Sequence, residues 1–402
     1  MNSKTSQLAV GVDAGSFRTR CIICSVEDGC LRYLAHGLAS STGWAKGRII
    51  DQGAAAESIR AAVTDAERGA RVSVDAATIG IGGMEVRGAQ SRARYEYGRP
   101  HEVDAEDLAY AVTMACDVRL ERDRILLHAL PQDFTLDGRA GYRKPEKSVC
   151  SRLEANVHVI TTAAQDHHAL VAAAHLAHLS VEETVYEPMA AAYGCLRSQE
   201  RARGVALLDM GLHSTDLVIY DGDAMLLASS LPVWGDHLTH DIATIFRITY
   251  EDAECLKREY GCALLGLTAD SSLIEVPSPE GRPSREARRS ELNEILEARA
   301  EELFLYVRSE LQRAGMERTL YEGIVLTGGG ALLNGMCDLA ERVLNCQAAN
   351  GITSAEDIGG WPEELKSPVW TTAAGLAMYS AKLKLHQPPK RHASGLMGLV
   401  MR

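Results

Sequence analysis

The strongest constraint on what this chain can fold into is a pattern that occurs twice, about two hundred residues apart. Val10-Gly-Val-Asp13-Ala-Gly15-Ser16 and Leu207-Leu-Asp209-Met-Gly211-Leu-His-Ser214-Thr215-Asp216 are apolar stretches that end in Asp-x-Gly. Each then passes a short polar turn and resumes as a second apolar stretch, over 20–26 and 217–220, closed by Asp-Gly. A hairpin repeated at this distance predicts two similar lobes facing one another. At each turn the glycine permits close backbone approach, the exposed N–H groups suit a phosphate, and the aspartate suits a hydrated Mg2+. One nucleotide held between two lobes accounts for both copies, although either copy alone reads more simply as an ordinary hairpin turn.

With 402 residues, 46% of them hydrophobic and 24% charged, the chain is long enough for two or more cores. A net charge of −12 with no sizeable basic patch argues against nucleic acid as a partner. Residues 1–7 lack an apolar signal core and no apolar run approaches the ~20 residues of a membrane span, so a cytosolic, soluble protein is expected. The ten cysteines then read as reduced thiols, many of them buried. Cys21 and Cys24 form a CxxC, but positions i and i+3 of a strand face opposite ways, which argues against zinc there.

Residues 8–87 read as a strand, a hairpin, a strand through Ile49, a helix over 54–67 and a strand over 76–82, which is α/β grammar. From 88 to 163 the texture changes to strands over 90–97, 125–136 and 153–161 around a helix over 104–118, a small α+β insertion. Asp104 with Asp107 predicts a capping box, and Leu108, Ala111, Val112 and Ala115 form one apolar face. Helices over 166–179 and 188–196 flank a strand over 183–186. His167, His168, His175 and His178 lack the Asp or Cys that would complete a metal set and read as surface or packing residues.

The second lobe begins at Gly204. Another insertion lies between Gly235 and Gly315, with a Pro/Gly/Ser stretch over 276–284 and a helix over 290–313 whose stripe is Leu292, Ile295, Leu296, Leu303, Phe304 and Val307. The strand, glycine turn and helix from Gly323 include Thr327-Gly328-Gly329-Gly330, a turn against which a purine and ribose can lie. A last helix over 371–384 carries Ala373, Ala374, Gly375 and Ala377, and Ala190, Ala191, Ala192 and Gly194 offer a matching surface, suited to two helices crossing closely at an interlobe hinge.

In their order, Asp13-x-Gly15, Glu187-Pro188, Asp209-x-Gly211 and Thr327-Gly328-Gly329-Gly330 resemble the actin-like superfamily of actin, sugar kinases, heat-shock chaperones and bacterial filament proteins. Within it, His128-Ala-Leu-Pro131-Gln132-Asp-Phe, Glu154-Ala-Asn-Val-His158-Val-Ile-Thr, Glu275-Val-Pro-Ser-Pro-Glu-Gly281-Arg282-Pro283 and Gly323-Ile-Val-Leu-Thr-Gly-Gly resemble the FtsA family of cell division proteins, from Gln7 to about Lys384. The resemblance implies an α/β, two-lobed actin-like fold on ribonuclease H-like cores. Subdomain 1A would be 1–87, 164–203 and a closing helix over 369–386; 1C would be 88–163; 2A would be 204–236 and 317–368; 2B would be 237–316. Residues 387–402 would be a linker and a short membrane-binding tail. The resemblance further implies ATP and Mg2+ as cofactors, self-association into filaments, and binding of the C-terminal tail of the tubulin-like protein FtsZ through 2B. It also implies attachment to the inner face of the cytoplasmic membrane at the division site, and contacts with other division proteins through 1C.

Carried over residue by residue, the cofactor-binding set is Asp13, Gly15, Ser16, Phe17, Arg18, Asp209, Gly211, Ser214, Thr215, Thr327, Gly328, Gly329 and Gly330, with Asp13 and Asp209 holding Mg2+ through water. Glu187 matches the Glu-Pro of the chaperone branch and is the candidate for orienting water toward the γ-phosphate, although a Glu before a Pro is also a routine strand end. Simple turn capping is the alternative for the hydroxyls. Arg299, bordering the apolar stripe of the 290–313 helix, is the candidate for meeting an acidic FtsZ tail; an intramolecular partner, Glu302 or Glu291, is the alternative.

The chain departs from the family at three places. Leu212 and His213 stand in a turn that is usually glycine-rich, which weakens phosphate contact there and predicts slow or absent ATP turnover. Phe17-Arg18 stands where a small residue and Lys are common, exchanging an ammonium for a guanidinium fork. The tail is short, with two glycines; Leu396, Met397, Leu399, Val400 and Met401 are its candidate membrane contacts, each worth ~1.5–3 kcal/mol if fully buried. Lys382, Lys384, Lys390 and Arg391 would add about 1 kcal/mol apiece near anionic lipid. A frayed terminus is the alternative. Two other functions share the motifs: a scaffold of the pilus-assembly type, and a small-molecule kinase, which needs a base and a closed substrate pocket that the sequence does not display.

Overall fold

The computed structural model describes residues 7–27, 29–269, 271–278, 283–316 and 319–385. Three strands open the chain as a meander, β1 (Gln7–Ala14), β2 (Arg18–Glu27) and β3 (Cys30–Ser40), each antiparallel to the next. Strand β3 ends at Ser40; what the sequence reads as one strand through Ile49 includes a separate two-stranded hairpin, β4 (Trp44–Ala45) and β5 (Arg48–Ile49). Asp51 caps α1 (Gln52–Ala70) by accepting from the N–H groups of Gly53 and Ala54, and β6 (Ala76–Ile81) returns parallel to β1.

The inserted unit follows: β7 (Arg87–Glu102), α2 (Ala105–Cys116), β8 (Arg124–Leu136), β9 (Arg139–Tyr142) and β10 (Val149–Ala163). They form a separate four-stranded sheet in the order β7-β10-β8-β9. The Asp104–Asp107 capping box is present at α2. Alternate residues of β10, Leu153, Ala155, Val157 and Val159, pack with Ala111, Val112 and Ala115 of α2, as a half-covered sheet requires.

Next come α3 (Ala164–Leu176), β11 (Ser180–Tyr186), α4 (Glu187–Cys195) and α5 (Ser198–Arg203). The first main sheet is thereby complete, in the order β11-β6-β1-β2-β3. The second lobe repeats the meander with β12 (Val205–Met210), β13 (Thr215–Asp221) and β14 (Ala224–Leu231). Its own insertion holds α6 (Gly235–Phe246), α7 (Tyr250–Tyr260), β15 (Leu273–Val276), β16 (Arg285–Arg288) and α8 (Arg289–Arg313). Five of the six stripe residues read from the sequence are buried in α8, and Ile295 is partly buried.

The chain ends its described part with β17 (Ile324–Thr327), α9 (Met336–Leu344), β18 (Ala348–Asn350) and α10 (Thr371–Leu385). The second sheet has the order β14-β13-β12-β17-β18. In both sheets an antiparallel meander is extended from its first strand by two parallel strands. The repeated hairpins are therefore the visible part of two topologically equal lobes.

Helices α4 and α10 cross between the lobes. A Cβ on Gly375 would lie 1.7 Å from the Ala190 carbonyl, and one on Gly194 would lie 2.2 Å from that of Thr371. The two backbones touch, which only glycine allows. Helix α4 also places Met189–Ala192 in one continuous core with Val205 and Leu207 of β12 and Val218 of β13, so the lobes share apolar packing. Cys21 and Cys24 face opposite sides of β2, Cys21 in that core and Cys24 in another with Trp361 and Trp370.

Candidate functional site

Asp13 and Asp209 are the penultimate residues of β1 and β12, the central strands of the two sheets, and both line one cleft of about 790 Å3. Gly15, Ser16, Phe17, Arg18, Gly211, Ser214, Glu187, Gly328, Gly329 and Gly330 line it too. This size is in the range of small-molecule and cofactor sites. In the two turns the N–H groups of Ser16, Phe17, Leu212 and His213 donate to no protein acceptor among the described residues. Such N–H groups in a turn form a concavity for an anion.

The floor is acidic. In the first hairpin Asp13 is paired across the strands with Arg20, whose Nη1 lies 3.5 Å from Asp13 Oδ2. At the matching position in the second hairpin, Asp209 faces Asp216, a repulsive pair. Burial pushes Asp209 up to about 7, with Asp216 and Asp13 adding repulsion. Burial also raises Asp216 to about 6, against hydrogen bonds from Ser230, Ser214 and the Gly83 N–H of the first lobe. Glu187 is raised well above the carboxylate range, by burial first and then by Asp13, Asp209 and Asp216. Burial raises Asp13 as well, and Arg20 only partly offsets it. Four carboxyl groups thus share the floor with one guanidinium beside Asp13, and all four hold protons more tightly than in water.

The glycines are spatially required here. Gly328 has φ +78°, and a Cβ on it would lie 2.5 Å from Asp209 Oδ1. Glu187 rests over β6 so closely that a Cβ on Gly82 would lie 2.3 Å from its Oε2.

Several sequence expectations fall elsewhere. Thr215 is fully buried and, by strand alternation, turns to the opposite face from Ser214 and Asp216, toward Met210 and Leu303. Thr327 is also buried, and its hydroxyl donates to the Pro368 carbonyl at 2.9 Å, so it fixes the glycine turn and does not face the cleft. Arg299 is engaged inside the protein: its Nε and Nη2 meet Asp241 at 2.6 and 3.0 Å and its Nη1 meets Glu302. Lys384 pairs with Glu182 at 2.9 Å and Lys382 lies over the Tyr193 ring. Leu396, Met397, Leu399, Val400 and Met401 lie outside the described residues.

Sequence reasoning missed Asp216 and Thr372. Asp216 was legible from the cross-strand register, since it stands opposite Asp209 as Arg20 stands opposite Asp13. Thr372, which reaches Asp209 Oδ2 at 3.4 Å from the start of α10, gave no local signal. Lys46 and Arg48, on the β4–β5 hairpin, also line the cleft.

The family model described as Cell division protein FtsA matches residues 206–375, and one described as SHS2 domain inserted in FTSA matches residues 83–161. Cell division protein FtsA of Pseudomonas aeruginosa is 33% identical over 377 residues, covering 94% of this chain and 90% of that protein. The Escherichia coli K12 protein of the same name is 29% identical over 388 residues, covering 94% and 92%. Among solved structures, the PilM-PilN type IV pilus biogenesis complex matches with TM-score 0.67 at 18% identity, covering 93% of this chain and 98% of that one. MreB 5 of Spiroplasma citri bound to AMPPNP matches with TM-score 0.56 at 13% identity, covering 94% and 96%. These two likenesses show the fold, that of the actin-like ATPases, and the sequence relationship makes the chain a member of the FtsA family of cell division proteins.

Proposed function

We propose that this protein is an ATP- and Mg2+-binding scaffold that polymerises and tethers FtsZ filaments to the inner face of the cytoplasmic membrane. Family membership supports the division role over a pilus-assembly or kinase role. The observation that carries the nucleotide reading is the pair of amide-lined turns facing each other across a floor of raised carboxyls. No three acidic, His or Cys side chains converge among the described residues as direct metal ligands. That fits Mg2+ held through water, with Asp13, Asp209 and Asp216 as the partners of its water shell. When bound, Mg2+ supplies the positive charge that the floor lacks. The amides of the two turns hold phosphate, and Gly328–Gly330 give the nucleoside a flat backbone surface.

Turnover is slow or absent in this reading. Leu212 and His213 put side chains into the second turn. Burial, and then the neighbouring carboxylates, push Glu187, the residue proposed to orient water, toward its protonated form, which blunts it as an acceptor. Partners follow the family: the acidic C-terminal tail of FtsZ at the unit inserted after β14, other division proteins at the unit inserted after β6, further copies of the chain, and anionic lipid at the C-terminal tail. No helix among the described residues is long and apolar enough to cross a membrane. Calorimetry of ATP binding with and without Mg2+, and sedimentation with FtsZ filaments and anionic vesicles, test the two halves separately. Absence of Mg2+-dependent ATP binding refutes the first half; ATP binding without FtsZ or vesicle co-sedimentation at filament-forming concentration refutes the second.

A further inference from the structure

The cations that line the cleft are mostly committed to protein partners. Arg18 donates to the Ser40 hydroxyl and lies over the Phe17 ring, and Arg20 is held by Asp13. Arg48 meets Asp166 at 2.9 Å on α3, and Lys257 meets Glu254 at 2.6 Å. Of the lining cations, Arg258 on α7 and Lys46 make no ion pair among the described residues, and Lys46 is the one on the hairpin. It sits with Gly47 at the tip of the β4–β5 hairpin, where Ala45 pairs with Arg48.

The conformation of that tip is informative. Lys46 has φ +48° and Gly47 has φ +76°, the two positive values that a two-residue type I′ turn requires. Asn, Asp or Gly takes the first of these positions readily, whereas a long side chain there is uncommon and costs conformational energy. The hairpin is also pinned in place. Arg48 ties it to α3, and at Gly47 a Cβ would stand 3.4 Å from the His213 carbonyl oxygen, so the tip touches the second turn of the opposite lobe. A Lys at a position that favours Asn, without an ion-pair partner and carried to the turn where Leu212 and His213 stand, suits a ligand of negative charge.

We propose that Lys46 is the ammonium that holds the outer phosphates of the bound nucleotide, supplying from the hairpin what the Leu212–His213 turn lacks. This rests on the nucleotide reading given above. The test exploits the turn geometry: Lys46→Asn removes the charge while suiting the positive φ, so the fold should melt at the same temperature or higher. ATP affinity, measured by calorimetry with Mg2+, should fall about tenfold to a hundredfold, the range of one charge-assisted hydrogen bond. Adenosine affinity should not change, and Lys46→Arg should retain most ATP affinity. Unchanged ATP affinity in Lys46→Asn, or an equal loss for adenosine, overturns the assignment. A wild-type chain that binds no nucleotide refutes the underlying reading itself, and is seen before any variant is made.

Discussion

Removing one carboxylate from the cleft floor should stabilise the protein without its ligands. Asp209 is held at about 7 against an ordinary 3.8, and at 1.36 kcal/mol per pKa unit this is at most about 4 kcal/mol of native-state cost above pH 7. The sign follows from proton linkage. Between pH 3.8 and about 7 the native state binds more protons than the unfolded chain, so stability falls as pH rises through that window. Asp209→Asn keeps an acceptor for the Thr372 hydroxyl and removes the repulsion on Asp216, Asp13 and Glu187. Without Mg2+ or nucleotide, its melting temperature at pH 8 should therefore exceed wild type by several degrees, at roughly 2–4 °C per kcal/mol for a lobe of this size. At pH 4 the difference should nearly vanish. With Mg2+ and ATP at a thousand times their Kd the gap should close, because the ligand then adds about 4.1 kcal/mol to wild type only. Scanning calorimetry at the two pH values checks it, and a ligand-free variant no more stable than wild type at pH 8 would refute the picture of an uncompensated floor.

Mg2+ and ATP binding should release protons near pH 7, since a cation drives Asp209, held at about 7, to ionise; binding enthalpies measured in buffers of different ionisation heat should diverge at pH 7 and converge by pH 9. Gly375→Ala should destabilise by at least about 1–3 kcal/mol, seen in thermal melts, because its Cβ meets the Ala190 carbonyl and neither backbone has room to move. Arg299→Glu should lower the melting temperature, by setting a third acid beside Asp241 and Glu302, as well as any affinity for an FtsZ-tail peptide; weaker peptide binding with an unchanged melting temperature would show that the residue acts directly. Steady-state ATP turnover should stay well below ~1 s⁻¹, checked by phosphate release.

The fold was legible wherever a local pattern carried it. The duplicated Asp-x-Gly hairpins, the Asp104 capping box and the α8 stripe each depend on residues close in sequence, and the matching small residues of α4 and α10 reveal their contact although they are far apart. What stayed hidden depends on facing and on distance. Thr215 and Thr327 look like phosphate ligands by position, yet strand alternation turns the first inward and the Pro368 carbonyl takes the hydroxyl of the second. Asp241, the partner of Arg299, is 58 residues away on α6, beyond the reach of helical spacing rules that offered only Glu302 or Glu291. The β4–β5 hairpin was read as part of a longer strand because its turn is Lys-Gly, which lacks the Asn-Gly signal of a tight hairpin.

The way the lobes are joined bears on what the nucleotide is for. Backbone contact between α4 and α10 leaves little slack at the hinge, and one apolar core runs from β1 through α4 to β12. The inserted sheet adds struts to the second lobe, from Gln132 Nε2 to the Met225 carbonyl at 2.7 Å and from Gln90 Nε2 to the Leu226 carbonyl at 3.0 Å. A ligand seated among these contacts has few large motions to drive. Its binding energy goes instead into neutralising the floor and fixing the angle between two nearly fixed lobes. In the proposed scaffold, a polymerising surface that spans both lobes would need that angle held for as long as the filament lasts, and slow turnover at a site with an encumbered second turn would keep it held.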